Sequence, residues 1–197
     1  MKRELERAKE VLDNHGVIAF PTETVMGLAV YYDDYDAYLK LNNIKRRPED
    51  KPYTMMVKSL KEIEKYAYVD ERTQKIMASF MPGPLTILLP AKDSVPTWVT
   101  HNSGIIGIRI PSNEIGLALL NALDKPILVP SANRSGENPA LNSGETKKIF
   151  GDEVDFIIEG EANLDKPSTI IDLTGEEIKI VRPGPISIEE INEVLKR

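Results

Sequence analysis

The chain has no cysteine and only two histidines, His15 and His101, in 197 residues. The first absence excludes disulfides, thiolate zinc sites and a cysteine nucleophile. The second excludes a histidine-rich metal cage and leaves carboxylates with substrate phosphates as the means of holding a hard cation such as Mg²⁺. No apolar run approaches the ~20 residues of a membrane span, and the opening stretch MKRELERAKEVLDNHG is charged throughout. No membrane partner is expected, and the sequence reads as cytoplasmic. Positive charge is in deficit: 25 Lys and Arg stand against 31 Asp and Glu, for a net charge of -6. That balance argues against a protein that coats nucleic acid, although it is compatible with a local basic cavity. The standard phosphate-binding and nucleophile strings, G-x-x-x-x-G-K-[ST], G-x-G-x-x-G after a strand and G-x-S-x-G, are also missing.

What is present is the composition of a globular domain, 41% hydrophobic and 28% charged. The length fits one domain over residues 1–197. Leu5, Ala8, Val11 and Leu12 share a helical face, with Gly16 where a left-handed cap would end the helix and His15 beside it at the negative end. VIAF reads as a buried strand. Tyr38, Leu41 and Ile44 form a second helical stripe, which Pro48 stops. YTMMV predicts a strand, Ser59 and Glu62 a capping box, and ERTQKIMASFM a further helix. LTILLP and GIIGIRIP are strand-like, NEIGLALLNAL helical, and PILVP a buried strand leading into a long polar loop, SANRSGENPALNSGE. VDFIIEG, STIIDL and IKIVRPG supply the last strands, the final two joined by a turn at TGEE and so antiparallel. Ser187 and Glu190 form another capping box, opening a helix with Ile188, Ile191, Val194 and Leu195 turned inward. Strands alternating with helices give an α/β layered domain, and the hairpin makes its sheet mixed.

Four polar stretches lie at element ends. In IKRRPEDKP, the residues Lys45, Arg46, Arg47 and Lys51 concentrate positive charge, which suits a polyphosphate or simply complements a helix C-terminus. In VPSANRSG, the groups of Ser131, Asn133 and Ser135 could meet phosphate or ribose, or satisfy their own turn. Thr22 and Thr24 alternate after a strand, so an extended backbone would put both hydroxyls on one face and Glu23 on the other. Arg109 sits in an apolar run, where a buried guanidinium needs an anionic partner, either a ligand or a structural Asp or Glu. Arg182 carries the same ambiguity, and Ser168 could be a strand-start hydroxyl. Trp98 reads as packing, and His101 as a loop residue.

Taken in order, PTETVMGL, KRRPEDKP, FMPGPLTILL, IGIRIP, PSANRSG, STIIDL and RPG resemble the YrdC/TsaC family of threonylcarbamoyl-AMP synthases over nearly the whole chain. The K-x-R and S-x-N pairs look like the family's signature. The resemblance implies a single domain with a twisted mixed parallel/antiparallel sheet and flanking helices around a large basic cavity. It implies an enzyme that joins L-threonine, bicarbonate or CO₂, and ATP with Mg²⁺ into threonylcarbamoyl-adenylate, releasing pyrophosphate. A tRNA-modifying transferase complex would then use that product. By motif position Lys45 and Arg47 are the catalytic, phosphate-contacting pair, with Lys51, Ser131, Asn133 and Arg182 completing the ATP site. Thr24, Arg109 and Ser168 would hold threonine. Met26 stands where the family motif usually has tyrosine, Met56 where many relatives have histidine, and Lys51 where asparagine is frequent. An RNA-binding or ribosome-assembly role for the same basic cavity is the alternative expectation.

Overall fold

The computed structural model describes residues 1–46 and 52–196. Among these, helices and strands follow in the order α1 (Lys2–Asp13), β1 (Ile18–Pro21), β2 (Met26–Tyr31), α2 (Tyr35–Lys45), β3 (Thr54–Met56), α3 (Leu60–Tyr66), α4 (Glu71–Phe80) and β4 (Leu85–Pro90). Next come β5 (Ile105–Arg109), α5 (Glu114–Ala122), β6 (Ile127–Leu128), α6 (Ser143–Phe150), β7 (Phe156–Ile157), β8 (Thr169–Asp172), β9 (Lys179–Arg182) and α7 (Ile188–Leu195).

The strands form one sheet in the order β7-β1-β2-β6-β3-β5-β4-β8-β9. The pairs β1/β7, β3/β5 and β4/β8 are parallel and the other neighbours antiparallel, so the sheet is mixed and its final pair, β8/β9, antiparallel, as expected. Strand alternation sorts side chains to two faces. Val17 and Ala19 join the larger core with Leu41, Ile44, Ile76 and Ile191, from α2, α4 and α7. Ile18 and Phe20 face the smaller core, closed by Ala8, Val11 and Leu12 of α1 and Leu119 and Leu120 of α5. The α7 capping box is complete, with the Ser187 hydroxyl accepting from the Glu190 N–H and the Glu190 carboxylate from the Ser187 N–H.

Several local expectations are corrected. The left-handed residue after α1 is His15, at φ 59, and its ring Nδ1 lies 2.8 Å from Asp34 Oδ2 at the start of α2. Gly16 is required for closeness instead, because a Cβ there would meet Val11 Cγ1 at 2.4 Å. At Ser59 only half the box forms: the hydroxyl accepts from Glu62 N–H, but the Glu62 carboxylate turns to the N–H of Lys58. The polar stretch after β6 is a loop only as far as Asn142, whose side chain caps α6. Helix α2 ends with Arg46 in a left-handed conformation at φ 50, and Pro48, Arg47 and Lys51 lie outside the described residues. Trp98 packs as expected, its ring 4.8 Å from that of Tyr38, while His101 Nε2 lies 2.9 Å from the Tyr38 hydroxyl.

Asp70 caps α4 by accepting from the Thr73 N–H at 2.7 Å. Hydrogen bonds from Thr73, its side chain before its backbone, hold this carboxyl below its ordinary value of 3.8 against the opposing effect of partial burial. A carboxyl depressed by folding stabilises the fold fully above its unfolded pKa, and that contribution is lost as pH falls through the lower folded value. Asp70→Asn is therefore expected to flatten the acid limb of a stability-versus-pH curve below pH ~4, measured by urea unfolding at a series of pH values. An unchanged limb would show that Asp70 titrates in the fold as it does in the unfolded chain.

Candidate active site

A cavity of about 140 Å³ opens where the β1–β2 bend, the ends of β3 and β5, the segment after β6 and the β8–β9 pair meet. Thr24, Arg109, Ser131, Ser168 and Arg182, singled out separately in the sequence, all line it. Arg109 and Arg182 each close the carboxyl end of a strand, while Ser168 stands just before β8 and Thr86 near the start of β4. Ligand-binding groups in open parallel sheets gather at carboxyl ends. Here the mixed strand directions bring both kinds of end to one place.

The first wall is the bend in PTETV. Residues 22–25 form a bend and do not continue the strand, yet the expected grouping holds: the Thr22 and Thr24 hydroxyls lie 2.9 Å apart on the cavity lining, and Glu23 stands outside it. The Thr22 hydroxyl donates to Val25 O at 2.7 Å and accepts from the Thr24 and Val25 N–H groups, a side-chain turn that reverses the chain into β2. The reversal carries Glu23 inward. Its Oε1 accepts from Arg109 Nη2 at 2.7 Å, and the same Nη2 lies 3.1 Å from Thr24 Oγ1. Arg109 Nε donates to Gly83 O at 3.2 Å, so the PGP turn after α4 grips the guanidinium from behind. The anionic partner that a buried Arg109 demanded is therefore a protein carboxylate. Burial pushes the Arg109 guanidinium below its ordinary value and Glu23 pulls it back; an arginine stays charged across the biological range.

The opposite wall is built by β8 and β9. Arg182 is an exposed residue of the edge strand, and its Nε and Nη2 donate to Ser168 O at 3.0 and 2.9 Å. Its Nη2 also reaches Ser168 Oγ at 3.0 Å, and that hydroxyl is 2.9 Å from Thr86 Oγ1. Glycine at 184 makes this possible, since a Cβ there would lie 2.4 Å from the Thr169 nitrogen. No carboxylate among the described residues pairs with Arg182. Burial first and repulsion from Arg109 second lower its pKa, so the two guanidiniums feel each other across the cavity. Met26 and Met56, 0% and 3% exposed, make part of the apolar lining.

The third group lies beside the cavity, with Ser131 in the lining and Lys45 and Asn133 outside it. Lys45, the last residue of α2, is 1% exposed, and its Nζ donates to the carbonyls of Ser131 and Asn133, the latter at 2.7 Å, and lies 3.3 Å from Asn133 Oδ1. The Ser131 hydroxyl donates to that same Oδ1 at 2.6 Å, and the Asn133 amide donates to Arg134 O and Glu137 O. Ser135 N–H closes the join on Lys45 O at 2.9 Å. The K-x-R and S-x-N segments are thus locked together by a lysine that forms part of the interior. Arg47 and Lys51 lie outside the described residues.

Sequence reasoning missed Glu23 and Thr86. Glu23 was assigned to the far side of a strand that the Thr22 turn abolishes. Thr86 did leave a signal: it is the sole hydroxyl in the apolar run LTILLP, and its buried side chain, 1% exposed, faces Ser168. Arg134, also missed, spans from Ile44 O to the Glu153 carboxylate over the Phe150 ring and braces α2 against α6.

Residues 10–184 match the Sua5/YciO/YrdC family model, described as "Telomere recombination". The chain belongs to the Sua5/YciO/YrdC family. It is similar to a putative threonylcarbamoyl-AMP synthase of Methanocaldococcus jannaschii, 37% identical over 96% of this chain and 90% of the relative. It is 35% identical to the threonylcarbamoyl-AMP synthase of Pyrococcus abyssi over 91% of this chain, but over only 53% of that relative, so it spans about half the length of that enzyme. The structure of P. abyssi Sua5 complexed with L-threonine superposes with a TM-score of 0.95 at 32% identity, over 99% of this chain and 58% of the other. Escherichia coli YciO, an uncharacterised protein, is 33% identical over 93% of this chain and 90% of its own length. Its crystal structure superposes with a TM-score of 0.89 over 97% and 94% of the two chains. The resemblance of the quoted motifs and the mixed α/β fold expected from them are therefore borne out. Among the described residues, no helix is long and apolar enough to cross a membrane.

Removing the Lys45 ammonium would leave the Ser131 and Asn133 carbonyls short of a donor. Lys45→Met is expected to lower unfolding free energy by about 2–3 kcal/mol, read from urea unfolding, and to increase amide exchange at Ser135. Wild-type stability with unchanged Ser135 protection would show that the lysine does not hold the loop.

Proposed function

We propose that the chain synthesises threonylcarbamoyl-adenylate from L-threonine, bicarbonate or CO₂, and ATP, acting as a nucleotidyltransferase. The observation that carries this reading is the convergence of Arg109 and Arg182 on one small cavity with Thr24, Ser168 and Ser131. The similarity to threonylcarbamoyl-AMP synthases and to a Sua5 structure holding L-threonine supports it. A cavity of about 140 Å³ suits a small amino acid and is too small for a nucleotide, for which pockets of ~300–1,000 Å³ are usual. ATP would accordingly extend beyond it, past Ser131 and Asn133, with Arg47 and Lys51, outside the described residues, assigned to its phosphates by motif position alone.

In this reading the threonine carboxylate meets Arg109, whose Nη1 has no acceptor among the described residues, and Thr24 and Ser168 fix the orientation of the amino acid. The amine, after losing a proton, adds to bicarbonate with release of water, or to CO₂ with release of a second proton, and becomes a carbamate. A carbamate oxygen attacks the α-phosphorus, the bond to the β-phosphate oxygen breaks, and pyrophosphate leaves. Arg182, with no carboxylate partner among the described residues, supplies net positive charge to that centre, with Arg47 acting on the phosphates and Lys45 holding Ser131 and Asn133 beneath them. Catalysis is then mostly the positioning of mutually repelling anions by cations fixed in advance.

Among the described residues, no group of three or more His, Asp or Glu side chains could hold a metal ion. Glu23, behind the cavity wall, is committed to Arg109. Mg²⁺ would thus arrive on the ATP phosphates, where it neutralises charge, consistent with its preference for phosphate oxygens and water. The adenylate would pass to a transferase complex that modifies tRNA.

The test is pyrophosphate release from ATP, Mg²⁺ and bicarbonate with each amino acid in turn, products being identified by mass. Threonine-dependent release is expected, with Arg182→Ala raising the KM for ATP and lowering kcat by roughly 10²-fold or more. Release independent of any amino acid, or none at all, would remove the proposal.

A further inference from the structure

We propose that Glu23 is a positioning residue for the amino-acid carboxylate: it holds the Arg109 guanidinium in the one orientation that presents Nη1 to the cavity. This rests on the reading of Arg109 as the carboxylate anchor given above. A guanidinium has three nitrogens, and two of them are fixed from the protein side. Nε is held by Gly83 O at 3.2 Å, and Nη2 by Glu23 Oε1 at 2.7 Å together with Thr24 Oγ1 at 3.1 Å. Two anchored nitrogens define the plane and rotation of the group, which leaves Nη1 as the edge available to a ligand. Arg109 is 4% exposed and lines the cavity, while Glu23 is 7% exposed and stands outside the lining. Glu23 therefore acts through Arg109.

The geometry of the pair separates orientation from simple stabilisation. A carboxylate built to hold an arginine tightly accepts two parallel bonds, one on each oxygen. Here only Oε1 is used, and Oε2 is buried with no hydrogen-bond partner among the described residues. Leaving a buried oxygen unpaired is costly, and burying an ion pair adds little to stability in itself. The single bond has a specific consequence, however. A two-pronged pair through Nη1 and Nη2 would occupy the edge that the cavity needs, whereas a bond to Nη2 alone turns the guanidinium and leaves that edge open. The backbone supports this placement, because Leu164 N–H donates to Glu23 O at 2.8 Å and Thr22 closes the turn on the preceding side.

Glu23→Gln keeps an oxygen acceptor at the same place without the charge, and Glu23→Ala removes both. Calorimetry with L-threonine is expected to show affinity weakened about tenfold or more in Glu23→Ala, with affinity for a non-hydrolysable ATP analogue changed less than about twofold, and Glu23→Gln within about threefold of wild type for both. ¹⁵N NMR of the arginine side chains provides a readout that needs no ligand: separate, slowly exchanging Arg109 Nη signals in the wild type and Glu23→Gln, merged into one averaged signal in Glu23→Ala. Should Glu23→Ala fail to fold, Glu23→Asp, whose carboxylate is drawn back by one methylene, is expected to fold and to show the same threonine-specific loss. Unchanged threonine affinity in folded Glu23→Ala, or Arg109 signals that stay separate there, would overturn the proposal. Threonine binding tightened in Glu23→Gln would overturn it too, because Glu23 would then be a competing anion. If wild-type protein binds no threonine while the Arg109 signals respond to Glu23 as described, the substrate reading fails and the positioning role stands.

Discussion

The cavity depends on how a guanidinium is kept inside a protein. Arg109 emerges from the end of an apolar strand, and its burial is tolerated because Glu23, Thr24 and Gly83 meet two of its nitrogens. That requirement shapes the surroundings. The Thr22 hydroxyl must reverse the chain within four residues so that Glu23 points inward, and the turn after α4 must bring Gly83 against the strand end. The same reversal ends β1 and starts β2, so the sheet hairpin and the cavity wall have one cause.

The two arginines are unequal, and the inequality organises the chemistry. Arg109 has a protein counter-charge, so it adds direction more than charge. Among the described residues Arg182 is met by the carbonyl and hydroxyl of Ser168 and by no carboxylate, so its positive charge remains for a ligand. Between them, Thr86 and Ser168 form a hydroxyl relay that fixes how one guanidinium is presented. A small zwitterion beside Arg109 and an anion beside Arg182 is the arrangement this asymmetry favours. Lys45 contributes from the interior, by fastening the loop that carries Ser131 and Asn133 to the end of α2.

Much of this was legible in the sequence. Helical stripes, the Ser187 capping box and the antiparallel final strands follow from local periodicity and turn chemistry, and they are where the pattern places them. Distant motifs could be grouped by resemblance alone, and five of the residues so grouped line one cavity. What could not be read was the turn at residues 22–25 and the partner it gives Glu23. Alternation predicts that Thr22 and Thr24 oppose Glu23, and that grouping survives, but a threonine that bonds to its own backbone replaces the strand with a turn that buries Glu23 against Arg109. The role of Lys45 was hidden for a related reason, because a basic residue at a helix end looks like solvent-facing charge until the loop it holds is folded onto it. Gly184 was equally opaque, since the contact that demands glycine comes from Thr169, which is close only in the folded chain.

Co-crystallisation with L-threonine and a non-hydrolysable ATP analogue addresses the central claim most directly. The account predicts the amino acid inside the cavity, its carboxylate within hydrogen-bond distance of Arg109 Nη1, with Glu23 still on Nη2 and the phosphates of the analogue approaching Arg182. Threonine seated elsewhere, or phosphates bound with Arg182 turned to solvent, would contradict it.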